Sequence, residues 1–132
     1  IEAYCRAFSR ADRVALVLLT NAYHQDDFDA PRDVTELLQR LSLGPLASQP
    51  PLHFIHDVPQ ADMPGLYAAA DVFVLPSRGE GWGRPHVEAM SMGRPIIATN
   101  WSGPTEFLDD TVGYPLRIDG LEPVVEGPFR DH

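Results

Sequence analysis

The sequence has little of what would tie it to a membrane, to nucleic acid or to an oxidising compartment. Cys5 is the single cysteine, so no internal disulfide can form, and a reduced compartment is compatible with that. No apolar run approaches the roughly 18 residues that a membrane-spanning helix needs. No charged-then-apolar leader opens the chain, and its first residue is Ile1, so it reads as a piece of a longer protein. Basic residues are outnumbered, with 10 Lys and Arg against 19 Asp and Glu and a formal net charge of -9. A field of that sign disfavours sequence-independent binding to nucleic acid or to anionic lipid. A phosphate-bearing ligand would then have to be met by local geometry. There is no internal repeat and no low-complexity tract, and the expected location is the cytoplasm.

What is present suits one globular domain with a single core: 132 residues, 44% of them hydrophobic and 22% charged. The 13 prolines mostly punctuate periodic segments. Ile1 to Ala11 reads as the tail of an amphipathic helix, with Ile1, Tyr4, Cys5 and Phe8 on one stripe. Val14 to Leu19 is an unbroken apolar run, the pattern of a strand buried on both faces. Asn21 to Asp29 is polar and reads as a loop. Pro31 opens a helix carrying Val34, Leu37, Leu38 and Leu41 at helical spacing, broken from Gly44 to Pro51.

Further strands are expected at Leu52 to Ile55, Val72 to Leu75, Pro95 to Ala98 and Val112 to Leu116. Asp62 is placed to cap a helix running to about Ala70, with Leu66, Ala69 and Ala70 facing inward. Pro85 suits the first turn of a helix that Gly93 ends, and a short helix is expected around Thr105 to Leu108. Strands alternating with helices predict an α/β fold, a Rossmann-like doubly wound parallel sheet with helices on both faces. It is expected to be incomplete, with its first strand and C-terminal elements outside the chain. Residues 119–132 show no period and read as an irregular, truncated end.

The chemistry concentrates in Ser77 to Gly93, between two of these strands. In an open parallel sheet, ligands bind beyond the carboxyl ends of the strands, where this loop must lie. Gly79, Gly81 and Gly83 let its backbone bend sharply and approach a ligand. The helix that follows aims its N-terminus at the same space, which makes an anion site. Pro85 has no N–H, so His86 and Val87 are the expected amide donors. Glu80 and Glu88 bracket the turn. Each has an ordinary explanation, a solvated loop acid and a helix-dipole acid, but carboxylates also accept hydrogen bonds from hydroxyls. An anion site with hydroxyl acceptors on either side fits a nucleotide sugar.

The runs LYAAADVFVLPS, EGWGRPHVEAMSMG and RPIIATNWSGPTE resemble the C-terminal Rossmann-like domain of the GT-B glycosyltransferases. Among these they are most similar to the large retaining family called glycosyltransferase group 1 or family 4. Its signature is a pair of glutamates separated by seven residues, the spacing of Glu80 and Glu88. The match covers about Leu66 to Glu106, and weaker agreement extends back to Val14. The resemblance implies that residues 1–132 are a partial nucleotide-sugar-binding domain. The parent would transfer a sugar from a nucleoside-diphosphate sugar to an acceptor with retention, without metal or cofactor.

By the same resemblance, Glu80 would take the catalytic place and accept hydroxyl hydrogen bonds from the donor sugar, beside the amides of Gly81, Trp82 and Gly83. The diphosphate would face the amides of His86 and Val87, and Glu88 would hold the ribose. The turn from His56 to Pro59 would line the base pocket. Trp82 stands where the family usually has Phe, Arg84 replaces an apolar residue, and Ser102 to Glu106 replaces a glycine-rich Pro-Glu ending. The family's Arg/Lys pair for the diphosphate and its N-terminal acceptor domain lie outside the chain, so the fragment alone is expected to be inactive.

Arg84 is a candidate for charge on the diphosphate, or else a solvent-facing side chain. His86 is a polar contact near the reacting centre or a packing residue, and Trp82 stacks on a sugar or fills a cleft wall. His24, Asp26, Asp27 and Asp29 lack metal-ligand spacing and read as a solvated loop. His53 and His56 read as strand-end packing, and Met90 and Met92 as packing under the sheet. Two alternatives stand beside transfer: a GT-B epimerase or phosphorylase, and a nucleotide-binding or interaction module without chemistry. Donor sugar, base, acceptor and oligomeric state are not encoded legibly.

Overall fold

A computed structural model describes residues 1–20 and 28–121. The chain divides into two compact units, Ile1–Pro59 and Gln60–His132.

The first unit holds helix α1 (Glu2–Ala7), strand β1 (Leu16–Leu19), helix α2 (Ala30–Arg40), a 3₁₀ turn at Leu46–Ser48 and strand β2 (Leu52–Ile55). Helix α1 is shorter than expected and stops before Phe8, which is extended. The cause is a local turn in which Asp12 accepts hydrogen bonds from both the amide and the hydroxyl of Ser9, each at 2.8 Å. Tyr4 still faces inward and donates its hydroxyl to the Pro51 carbonyl. Asp29, grouped above with an acidic cluster, is instead the N-cap of α2 and accepts from the Arg32 amide at 2.9 Å. His24, Asp26 and Asp27 lie outside the described residues. Val34 and Leu38 form the buried stripe of α2, as their spacing predicts.

Strands β1 and β2 pair in parallel, Leu16 opposite Leu52 through Leu19 opposite Ile55. Only one face of β1 is covered, for Val17 is 46% exposed beside the exposed His53. The apolar run therefore does not mark a strand buried on both faces. His56 closes the strand ends, its Nδ1 lying 2.9 Å from the Thr20 carbonyl.

The second unit holds helix α3 (Met63–Ala69), strand β3 (Phe73–Leu75), helix α4 (Arg84–Ser91), strand β4 (Ile96–Thr99), a 3₁₀ turn at Gly103–Glu106 and strand β5 (Gly113–Leu116). Its three strands are parallel in the order β3-β4-β5. The α/β class and the parallel pairing are thus as read from the sequence. Among the described residues the first unit holds a two-stranded sheet and the second a three-stranded one.

In the larger sheet, Phe73, Ile96 and Gly113 share one row, and Leu75, Ala98 and Pro115 share another on the same face. This face carries the core, where Ile96 and Ala98 are fully buried with Ala89 of α4, Tyr67 of α3 and Leu108. Met90 and Met92 pack against it. Burying a side chain such as Ile96 stabilises by roughly 1.5–3 kcal/mol. Gly113 is required in this packing, since a Cβ there would lie 2.8 Å from the Ile96 carbonyl oxygen. On the opposite face, Val74 and Tyr114 are 43% and 63% exposed. Helices on both faces are therefore not found for this sheet among the described residues.

Helix α3 also departs from expectation. Asp62 makes no side-chain cap, because its own backbone is helical and its carboxylate is not turned back on the first turn. The inward residue is Tyr67, while Ala69 is exposed, since a large aromatic gains more from burial than a methyl group does.

Candidate functional site

The site is built where β3 ends and α4 begins. After Leu75 the chain runs through Ser77 to Gly83 without regular structure, then enters α4 at Arg84. Gly83 is the N-cap, with φ +87° in the left-handed region. A side chain there would also meet the buried ring of His86, whose Nδ1 lies 2.7 Å from an ideal Cβ. Glycine is thus demanded twice over, by backbone conformation and by space. Pro85 occupies the second helical position, where a missing N–H costs nothing.

A second segment straps this turn. The Ser102 hydroxyl accepts from the Glu80 amide and donates to the Glu80 carbonyl, both at 2.9 Å. The Gly103 amide donates to the same carbonyl at 3.1 Å. Ser102 adopts φ +56°, a left-handed conformation unusual for a residue with a side chain, and its two bonds to Glu80 hold it there. Gly103 passes so close that a Cβ on it would lie 2.6 Å from the Gly81 carbonyl oxygen.

With Glu80 so held, the amides of Gly81, Trp82, Gly83 and Arg84 have no hydrogen-bond partner among the described residues. The amides of His86 and Val87, expected from the sequence to be the free donors, both donate to the Gly83 carbonyl, at 3.0 and 3.3 Å. The Gly83 carbonyl, at the N-cap, occupies both, so the open amides lie in the glycine turn itself. The His86 ring is wholly buried, edge-on to Phe73 at 5.8 Å, with its nitrogens facing the carbonyls of Gly83 and Leu75. Its side chain is packing. Trp82 is 54% exposed and rests against Phe107, with ring centroids 5.5 Å apart.

The two glutamates differ. The hydrogen bonds of Glu80 are made by its backbone, and its carboxylate has no ion pair among the described residues. Glu88 is engaged at both oxygens: Oε1 pairs with Arg84 Nη2 at 3.2 Å, and Oε2 accepts the Tyr67 hydroxyl at 3.1 Å. Arg84 is largely exposed, as the simpler of its two readings has it, yet it lies beside the turn. Burial, then the hydrogen bond to the negative Glu88, push the Tyr67 phenol up to about 12, with Arg84 opposing. Tyr67 and Ser102 are the two site residues that sequence reasoning did not single out. The only available signal was that a buried tyrosine needs a partner for its hydroxyl.

A parallel α/β unit thus carries open backbone amides at a strand's carboxyl end, with a carboxylate on either side of them. The family Glycosyl transferases group 1 matches residues 6–121, and the chain belongs to it. It is similar to the O-antigen chain mannosyltransferase B of Escherichia coli, 40% identical over 82 residues, which are 61% of this chain and 22% of that protein. A D-inositol 3-phosphate glycosyltransferase of Corynebacterium kroppenstedtii is 28% identical over 113 residues, 85% of this chain and 24% of that protein. A lipopolysaccharide core biosynthesis mannosyltransferase of Rhizobium meliloti is 30% identical over 95 residues, 70% of this chain and 26% of that protein. The chain thus spans about a quarter of the length of these curated relatives. No described helix is long and apolar enough to cross a membrane.

Proposed function

We propose that the protein to which this chain belongs transfers a hexose from a nucleoside-diphosphate sugar to an acceptor, with retention of anomeric configuration. The observation that carries this reading is the row of open amides from Gly81 to Arg84 between the carboxylates of Glu80 and Glu88. Amides of the turn hold hydroxyls of the sugar, and Glu80 accepts others. The amide of Arg84 and the positive end of α4 face the diphosphate. Arg84 supplies charge there, since its exposed arm is free to swing from Glu88 to a phosphate. Glu88 accepts the ribose hydroxyls. Catalysis then rests on holding the donor and on stabilising the charge that develops on the leaving diphosphate. Retention delivers the acceptor oxygen to the face from which the diphosphate departs. The acceptor is bound by parts of the protein outside this chain.

The test is calorimetric titration of the full-length protein with UDP and GDP, beside its Glu88→Ala variant. Binding of one nucleotide that weakens about tenfold or more in the variant is expected, the loss of hydrogen bonds to a charged acceptor. Failure of both nucleotides to bind would reject the proposal. Product analysis then separates transfer from epimerisation and phosphorolysis. Arg84→Ala should weaken the diphosphate relative to the monophosphate, and unchanged affinity for both would remove Arg84 from the site.

A further inference from the structure

We infer that Tyr67 is a positioning residue for the donor site: its hydroxyl fixes one oxygen of Glu88 so that the carboxylate presents its remaining acceptor positions to the vicinal diol of a ribose. The inference rests on the reading of Glu88 proposed above and adds a residue from a different helix to it.

Glu88 has a long, flexible, half-buried side chain on α4, and something must aim it. Arg84 alone is a poor candidate. It is four residues away on the same helix, its own side chain is 79% exposed, and a pair so exposed holds its members weakly. It would also leave Glu88 on turning to a phosphate. Tyr67 differs on each count. It is 7% exposed, on α3, and its ring is locked edge-on against Phe73 of β3, centroids 5.6 Å apart at 76°. A phenol with so little freedom donates from a fixed point.

Each carboxylate oxygen has two acceptor positions. Tyr67 takes one on Oε2, and Arg84 takes one on Oε1 until it turns to a phosphate, so each oxygen keeps at least one acceptor position throughout. That is the arrangement which accepts from two neighbouring hydroxyls at once. The phenol remains a donor throughout the physiological range, because burial and the neighbouring negative charge oppose its ionisation.

The experiment titrates the full-length protein with UDP, GDP and the 2′,3′-dideoxy form of each. Tyr67→Phe keeps the ring and its edge contact and removes only the hydroxyl. It should bind the preferred ribonucleotide about tenfold more weakly than the native protein and its dideoxy form equally well. A merely structural role would weaken both forms alike, and that result overturns the inference, as does unchanged binding of both. Glu88→Ala identifies a failure at the earlier step. If this variant still prefers the ribonucleotide as strongly as the native protein does, Glu88 does not hold the ribose and the inference falls with that reading. If the preference is lost in Glu88→Ala but kept in Tyr67→Phe, the ribose reading stands and Tyr67 alone is excluded. Absence of binding by either nucleotide overturns both.

Discussion

Replacing Gly103 by alanine should open the strap that closes the glycine turn, and the geometry says by how much. An ideal Cβ on Gly103 lies 2.6 Å from the Gly81 carbonyl oxygen and 2.7 Å from Trp82 Cα, while ordinary contact begins at 3.4 Å. The obstructing atoms are backbone, so no side chain can swing aside, and the two segments must part by about 0.8 Å. The Gly103 amide bond to the Glu80 carbonyl, now 3.1 Å, is the first to break, at a cost of roughly 1 kcal/mol. Overpacking of this kind costs about 1–3 kcal/mol more, so a loss of roughly 2–4 kcal/mol is expected.

Gly81→Ala is the matched control in the same turn. Nothing lies within 4 Å of its added methyl and its φ is not positive, so it should stay within about 0.5 kcal/mol of the native protein. Urea denaturation of the full-length protein, followed by circular dichroism, compares the two. Equal midpoints for Gly103→Ala and Gly81→Ala would refute the steric argument.

Gly83→Ala should destabilise by at least about 1–2 kcal/mol for the left-handed backbone alone, with a further cost from the buried His86 ring. Gly83→Asn should recover part of the backbone component, and the same denaturation measurement reads both. The Tyr67 hydroxyl predicts an alkaline effect. Its folded pKa is raised from 10.0 to about 12, so its contribution to stability is complete below about pH 10 and is lost as pH rises through about 12. The gap between native and Tyr67→Phe urea midpoints should therefore be smaller at pH 11 than at pH 9, and a gap that widens would contradict the assignment.

Much of the chain could be read from local signals because those signals are local in cause. Pro31 with Val34 and Leu38 locates α2, Pro85 and Gly93 bound α4, and the apolar Leu52, Phe54 and Ile55 locate β2. What misled was inference about surroundings. The apolar runs at Val14–Leu19 and Val72–Leu75 gave the strands, but Val17 and Val74 are exposed, because composition does not say which face is covered. Nor does it say which strands pair. Asp62 has the right identity for a cap in a backbone conformation that forbids it.

In the site, the glycine turn and both glutamates were legible from spacing. The bonds of Tyr67 to Glu88 and of Ser102 to Glu80 were not, because they join positions 21 and 22 apart on separate elements. The open amides lie in the glycine turn and not at His86 and Val87, because the Gly83 carbonyl accepts from both.

Those two separations also bear on how the site comes into being. Every link that shapes the turn lies within one continuous stretch, from Tyr67 to Gly103, and the strands that carry it, β3 and β4, are neighbours in both sequence and space. The loops between these links span 21 and 22 residues, so closing them costs little more than closing shorter ones. A contiguous segment of this kind is also a convenient unit of exchange. Recombination on either side of it would carry the turn, its strap and its carboxylates together.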